Sequence, residues 1–285
     1  MKTNILHALG VTAVLSVALF SCAEQPTGST KGCTNPAAVN YDPDAGQDNG
    51  GCVVIPESQY SLFYKYTATW CGPCGGWGGP AFEEICTAQN GSMLAFTLQS
   101  SDDFSTPRNT EIFDAFAAKW PYGGTPNFQC NNAILGTSYT GATSEIATKN
   151  ATEPDAGIGI HWSIGGGANA GKFNINVYTK FFKQVSGEYF AGVYILHKSI
   201  VKNQNVDGTY DPNYIHHHVM MDHVTSVFGD PIAAGDIAAG SVKSLSFVYP
   251  YTEIPDLNLA KVEIVGIIWK KNGATFDLVN VTPNE

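Results

Sequence analysis

Cys71 and Cys74 stand two residues apart in Trp70-Cys71-Gly72-Pro73-Cys74, directly after the apolar, aromatic-rich run 61–69. One thiolate at this spacing can attack a disulfide in another molecule, and its neighbour can then resolve the mixed disulfide. If 61–69 is a buried strand and a helix starts near Cys71, the first sulfur meets unpaired backbone N–H groups and the positive end of the helix dipole. Such settings lower a thiol pKa from about 8.5 into the range of roughly 3.5–7.5. Cys71 is then the exposed nucleophile and Cys74, one turn inward, the resolving thiol. Gly72-Pro73 suits the corner, since proline is tolerated in a first helical turn. A C-x-x-C pair is also half of a zinc site, but a second pair of ligands is then required. Cys22, Cys33, Cys52, Cys86 and Cys130 are each isolated. Redox exchange is the favoured reading, with an inert structural disulfide and a zinc half-site as the alternatives.

These residues resemble the thioredoxin family over about 56–150. The resemblance implies a cis-proline facing the dithiol, and Pro126 in Gly123-Gly124-Thr125-Pro126-Asn127-Phe128 matches by order and distance. It further implies that the backbone of Thr125 pairs with a substrate peptide and that Trp70, Gly72 and Pro73 help frame the groove. Two positions depart from the family. Gly75-Gly76-Trp77-Gly78-Gly79 replaces good helix formers, each glycine costing about 1 kcal/mol relative to alanine. Lys65 stands where the family keeps a buried acid; it either snorkels to solvent or, partly buried, favours the Cys71 thiolate. Gly-Pro between the cysteines leans toward a reductant, near −270 mV rather than the roughly −120 mV of a strong oxidant.

The elements that must position the pair follow from periodicity. We expect helices over 80–88, 109–120 and 143–150, with Ile112, Phe113, Phe116 and Ala117 on one face of the second, and a strand over 92–99. From about 155 helical periodicity gives way to strand-like runs at 157–164, 172–183, 188–198, 216–227, 241–249, 260–270 and 274–281. The fold class expected is an α/β thioredoxin-like domain (56–150) followed by an all-β antiparallel sandwich domain (155–285). This layout resembles bacterial outer-membrane lipoproteins that join a thioredoxin-like half to a β-sandwich. Tyr194, Phe247, Tyr249 and Trp269 are expected in the core. His216, His217, His218 and His223, with His197 on a neighbouring strand, form a histidine-rich stretch. Lacking carboxylate partners, it is read as a polar, solvent-facing strand, and no metal site is assigned.

The N-terminus supplies the address. Residues 1–21 read as a secretory signal, too short and wrongly flanked for a stable membrane span. Leu19-Phe20-Ser21-Cys22 resembles a bacterial lipobox, which implies that Cys22 becomes an acylated N-terminus held firmly in a membrane, more in keeping with the outer one. Residues 22–32 form a tether. The segment 33–52 is a small module closed by Cys33 and Cys52, which are expected to pair in an oxidising compartment; closing such a loop stabilises by roughly 3 kcal/mol. Asn40, Asp42, Asp44 and Asp48 in it could ligate calcium, but an Asx-turn-rich spacer fits better. Cys86 and Cys130 lie roughly 18 Å down the helix from Cys74 and roughly 13 Å down the strand from Pro126. They could pair beneath the site or remain two buried free thiols.

The 285 residues carry a formal charge of −10, which argues against nucleic acid and anionic lipid surfaces as partners. No cofactor is expected beyond the redox-active disulfide itself. The expected partners are disulfide-containing proteins, an upstream electron donor, and the membrane through the N-terminal lipid. The rival reading is a binding or structural lipoprotein that uses the thioredoxin-like half as a scaffold and the sandwich for recognition.

Overall fold

The computed structural model describes residues 30–284. The signal segment 1–21, the acylation site Cys22 and the tether as far as residue 29 lie outside the described residues. The first ordered piece is the small module, where β1 (Lys31–Gly32) pairs in parallel with β2 (Gln47–Asp48) and Cys33 is bonded to Cys52. Asn35, Asp42, Asp48 and Asn49 each accept an N–H from two residues further on. These Asx turns hold its acidic side chains. Among the described residues no group of three or more His, Cys, Asp or Glu side chains is arranged to hold a metal ion.

The chain then runs β3 (Ser61–Thr67), α1 (Gly79–Ala88), β4 (Met93–Gln99), α2 (Pro107–Lys119), β5 (Asn127–Cys130), β6 (Ala133–Gly136) and α3 (Gly141–Asn150). Every residue of β3 and β4 is buried, as expected of central strands covered on both faces. Helix α2 begins at a capping box, in which Thr106 Oγ1 accepts the Asn109 N–H while the Asn109 side chain accepts the Thr106 N–H. Its Ile112, Phe113 and Phe116 are buried.

The remainder is β7 (Ala156–Ile164), β8 (Lys172–Phe181), β9 (Tyr189–Val201), β10 (Gln204–Val206), β11 (Thr209–Asp211), β12 (Ile215–His223), β13 (Asp230–Ile232), β14 (Val242–Pro250), β15 (Val262–Asn272) and β16 (Thr275–Val281). In β8 alternate residues are buried, among them Phe173, Ile175, Val177 and Phe181, the period of a half-covered strand. The three-stranded sheet β14-β8-β7 packs this face on Val193, Ile195, Val219 and Ile264 of a larger sheet. The architecture is therefore mostly β, in several sheets with few helices.

The larger sheet has the order β16-β15-β9-β12-β4-β3-β5-β6, with β13 also on β9. It crosses the division expected between 150 and 155. The outer edge of β4 would otherwise be an open template for pairing; β12 fills it in parallel, with Val219 opposite Thr97. The cores merge in the same way. Tyr64, Phe96, Phe116 and Trp120 from the first half share one cluster with Tyr194 and Trp269 from the second. The Trp269 indole N–H donates to the Tyr194 hydroxyl at 2.9 Å, which in turn donates to the Val227 carbonyl at 2.5 Å.

Because one aromatic cluster serves both halves, Trp269→Ala should destabilise the whole chain by about 3–5 kcal/mol. Urea unfolding followed by far-UV circular dichroism and by tryptophan fluorescence should show one shared transition. Two separated transitions would contradict this account.

Candidate active site

The residues singled out around the dithiol converge at one end of β3 and β5. After Thr67 the chain turns through 68–73 into a π-helical turn, Cys74–Gly78, that leads into α1. Cys71 and Cys74 are bonded, with their Cα atoms 5.2 Å apart. The Cys74 N–H is shared between the Cys71 carbonyl at 3.1 Å and Cys71 Sγ at 3.2 Å, so a helix-terminal donor lies beside the sulfur that would carry negative charge. The Thr125–Pro126 peptide is cis, and the Thr125 carbonyl oxygen lies 3.4 Å from Cys71 Sγ. Trp70 is 51 % exposed, and its indole N–H donates to the Ser100 carbonyl at 3.2 Å. Pro73 is exposed and Gly72 half-buried, completing an apolar rim.

Over this turn lies the hairpin β10–β11, with Val206 opposite Thr209. Its Gln204 Nε2 donates to the carbonyls of Ala68 at 3.2 Å and Cys71 at 2.9 Å. The Asn205 N–H donates to Thr69 O at 2.7 Å and the Asp207 N–H to Gly72 O at 3.2 Å. Asn205 Nδ2 donates to Trp70 O at 3.2 Å. Five successive carbonyls, 68 to 72, thus take their donors from one hairpin, each bond contributing about 0.5–1.5 kcal/mol net. The first two glycines of the run have their cause here. A Cβ on Gly75 would strike the Asn205 backbone oxygen, and one on Gly76 the Asp207 carboxylate. Only glycine lets the two backbones approach this closely.

The hairpin changes the expected exposure of the pair. Cys71 was to be open and Cys74 covered, whereas they are 4 % and 2 % exposed, because β10–β11 closes the flank of the turn. Sequence reasoning passed over Gln204, Asn205 and Asp207, although Asp207-Gly208 between short extended runs is a hairpin signal; both residues have positive φ, 49° and 98°.

Cys86 and Cys130 do not pair; both are free thiols. Cys86 faces Met93 and Ala95 of β4, while Cys130 lies on β5, on the other side of β3, where its thiol donates to the Ala142 carbonyl of α3 at 3.9 Å. Burial pushes both thiols up, Cys130 to about 12. Lys65 does not snorkel. It is 5 % exposed, with Nζ donating to the Gly78 carbonyl at 3.4 Å and lying 5.2 Å from the centre of the Phe82 ring. Nor is the histidine strand solvent-facing. His197, His216 and His223 are buried, because β12 sits between β9 and β4 inside the sheet. His223 lies between the Thr225 carbonyl, at 2.6 Å, and a Glu111 carboxylate oxygen, at 3.3 Å.

The cover can be tested directly. Gly75→Ala places a methyl against the Asn205 backbone and should lift the hairpin. In the reduced protein, iodoacetamide should then alkylate Cys71 at least about tenfold faster than in the parent, with mass spectrometry locating the adduct. An unchanged rate would mean that β10–β11 does not limit access.

The solved structure of HBP35 of Porphyromonas gingivalis is similar in fold, with a TM-score of 0.63 at 14 % identity over 79 % of this chain and 74 % of that one. Curated proteins provide no sequence match. The model of the family described as outer membrane protein Omp28 matches residues 113–285, a stretch that contains Pro126 and the hairpin and starts beyond the dithiol. As the match spans more than half of the sequence, the chain belongs to the Omp28 family of outer-membrane proteins, which gives it an outer-membrane or cell-surface place in the envelope.

Proposed function

We propose that this protein is a lipid-anchored thiol–disulfide oxidoreductase of the outer membrane, acting on disulfides of envelope or secreted proteins through a thioredoxin-like half. The observation that carries the reading is the Cys71–Cys74 disulfide at the mouth of a helix, with an amide aimed at Cys71 Sγ and the Thr125 carbonyl beside it. In the reduced protein the Cys71 thiolate attacks one sulfur of a substrate disulfide and expels the other as a thiolate. The Cys74 thiolate next attacks Cys71 Sγ, releasing the second substrate sulfur and closing the Cys71–Cys74 bond. Two electrons pass to the substrate, and an envelope dithiol donor restores them. Trp70, Gly72, Pro73 and Thr125 frame the approach, and β10–β11 must shift for a protein substrate to reach the sulfur.

The second reading is a non-catalytic lipoprotein whose dithiol half is a scaffold and whose sandwich binds a partner. The 4 % exposure of Cys71 favours it.

Reduction of insulin by the chain lacking residues 1–22 decides between them. With dithiothreitol as donor, the parent should accelerate insulin precipitation, and Cys71→Ser should return it to the uncatalysed rate. Cys74→Ser should accumulate a mixed disulfide between Cys71 and insulin. Equal rates for the parent and Cys71→Ser would establish the scaffold reading.

A further inference from the structure

The tip of the hairpin carries an unpaired charge. Asp207 is exposed, and among the described residues its carboxylate has neither a hydrogen bond nor an ion pair. It is nevertheless pressed onto the turn beneath it. The Asp207 N–H donates to Gly72 O at 3.2 Å, and a Cβ on Gly76 would overlap both oxygens of the Asp207 carboxylate. Gly76 is the third residue of the turn Cys74–Gly78 that leads into α1. The opening turn of a helix offers N–H groups that the helix itself does not use, and with them a partial positive charge. The turn has no acidic side chain of its own, so the anion that lies against it comes from the other half of the chain.

A Cys71 thiolate would draw on the same helix end. Its sulfur lies beside the Cys74 N–H, in the turn that Asp207 touches at residues 72 and 76. Oxidised, the pair is bonded and neutral, and the Asp207 carboxylate has the positive end to itself. Reduced and ionised, Cys71 places a second negative charge there, and the two repel. Other charged groups around the turn are anchored elsewhere. Asp102, from the loop after β4, accepts the Thr69 and Phe104 N–H groups at 2.9 and 3.0 Å, and burial raises it. Asp211 of β11 accepts the Asn213 N–H at 2.9 Å. Behind Cys74 stand Lys65, Glu83, Tyr214, His216 and His217. Burial pushes Lys65 down to about 8 and His216 down to about 4, and it raises Tyr214.

We propose, resting on the exchange reading above, that Asp207 couples the hairpin to the redox state of the dithiol. Its carboxylate and the Cys71 thiolate compete for one helix end, so β10–β11 settles on the disulfide and is pushed off the thiolate. The coupling is reciprocal, as linkage requires. A seated hairpin disfavours the thiolate and so makes the pair a stronger reductant. A thiolate loosens the hairpin and so uncovers itself to a substrate. The 4 % exposure of Cys71 then belongs to the disulfide, the form left after a substrate has been reduced. Asp207 touches no substrate, and no bond is made or broken at it; it is a positioning residue that acts through the helix end.

Asparagine matches aspartate in size and tolerates the φ of 49° at this position, so Asp207→Asn removes the charge and keeps the hairpin. Two readouts compare it with the parent. The first is the equilibrium of the Cys71–Cys74 pair in dithiothreitol and glutathione buffers. Loss of the carboxylate should favour the reduced pair about tenfold, which makes its potential about 30 mV less negative. The second is amide hydrogen exchange at Asn205, whose N–H donates to Thr69 O, measured by mass spectrometry on oxidised and reduced protein at each pH. In the parent, reduction should speed this exchange at least about fivefold once Cys71 is ionised, and the ratio should fall toward one as the pH drops and the thiolate takes up a proton. In Asp207→Asn the ratio should stay near one throughout. An unchanged potential, or equal ratios in the two proteins, would overturn the coupling and leave exchange itself intact. Faster exchange in oxidised Asp207→Asn with the parent's ratio retained would assign Asp207 a merely structural hold and overturn it as well. A parent pair that exchanges with neither buffer would overturn the exchange reading, and this inference with it.

Discussion

The site depends on where the carbonyls of residues 68–72 find their donors. The turn itself supplies only part of them, the Cys71 N–H donating to Ala68 O at 3.2 Å and the Cys74 N–H to Cys71 O at 3.1 Å. The backbone and side chains of 204–207 give each of the five carbonyls a donor, and those of Thr69, Trp70 and Gly72 depend on that hairpin. The other features around the dithiol follow from that contact. The backbones must touch, so the residue after Cys74 must be glycine. Once they touch, the turn is shielded on that flank and Cys71 loses its exposure. Gln204, whose amide bridges two of the carbonyls, also forms part of the wall behind Cys74. The cover and the wall behind Cys74 are therefore built from the same side chain.

The same contact explains why the two halves are not independent bodies. The hairpin is the overhang between β9 and β12, and β12 is the strand that closes the edge of β4. Holding the hairpin on the turn and holding β12 in the sheet are parts of one arrangement. Arg108 reinforces it from α2, its Nε donating to Asp222 Oδ1 of β12 at 3.0 Å while the Tyr249 hydroxyl of β14 donates to Asp222 Oδ2 at 2.9 Å. A mostly buried carboxylate held from both sides makes this junction sensitive to loss of either partner.

Most of the elements were legible in the sequence because their signals are local. Strand β3 falls inside the apolar run 61–69 and stops two residues before its end, α2 starts two residues before the helix expected over 109–120, and the C-terminal strands lie close to the runs marked by Gly, Asn and Asp. The pairing of strands distant in sequence was not legible. Nothing in Ile215–His223 announces that it will lie against β4 rather than at a sandwich edge, so His216 and His223 read as solvated when they are enclosed. Cys71, Cys74, Trp70 and Pro126 were found because spacing carries their chemistry. Lys65 was noticed as an anomaly, but its burial depends on how α1 and β12 cover β3. The hairpin left two traces, Asp207-Gly208 and the glycine run at 75–79; the connection between them is a tertiary fact spanning about 130 residues.

That separation orders events during export. A chain emerging from its N-terminus presents Cys71 and Cys74 to the oxidising compartment while residues 204–211 are still to come, and early segments begin to fold as they appear. The two sulfurs therefore meet oxidants and one another before the lid that will enclose them exists. The Cys71–Cys74 bond needs only residues of the turn itself, whereas its cover needs residues made about 130 positions later.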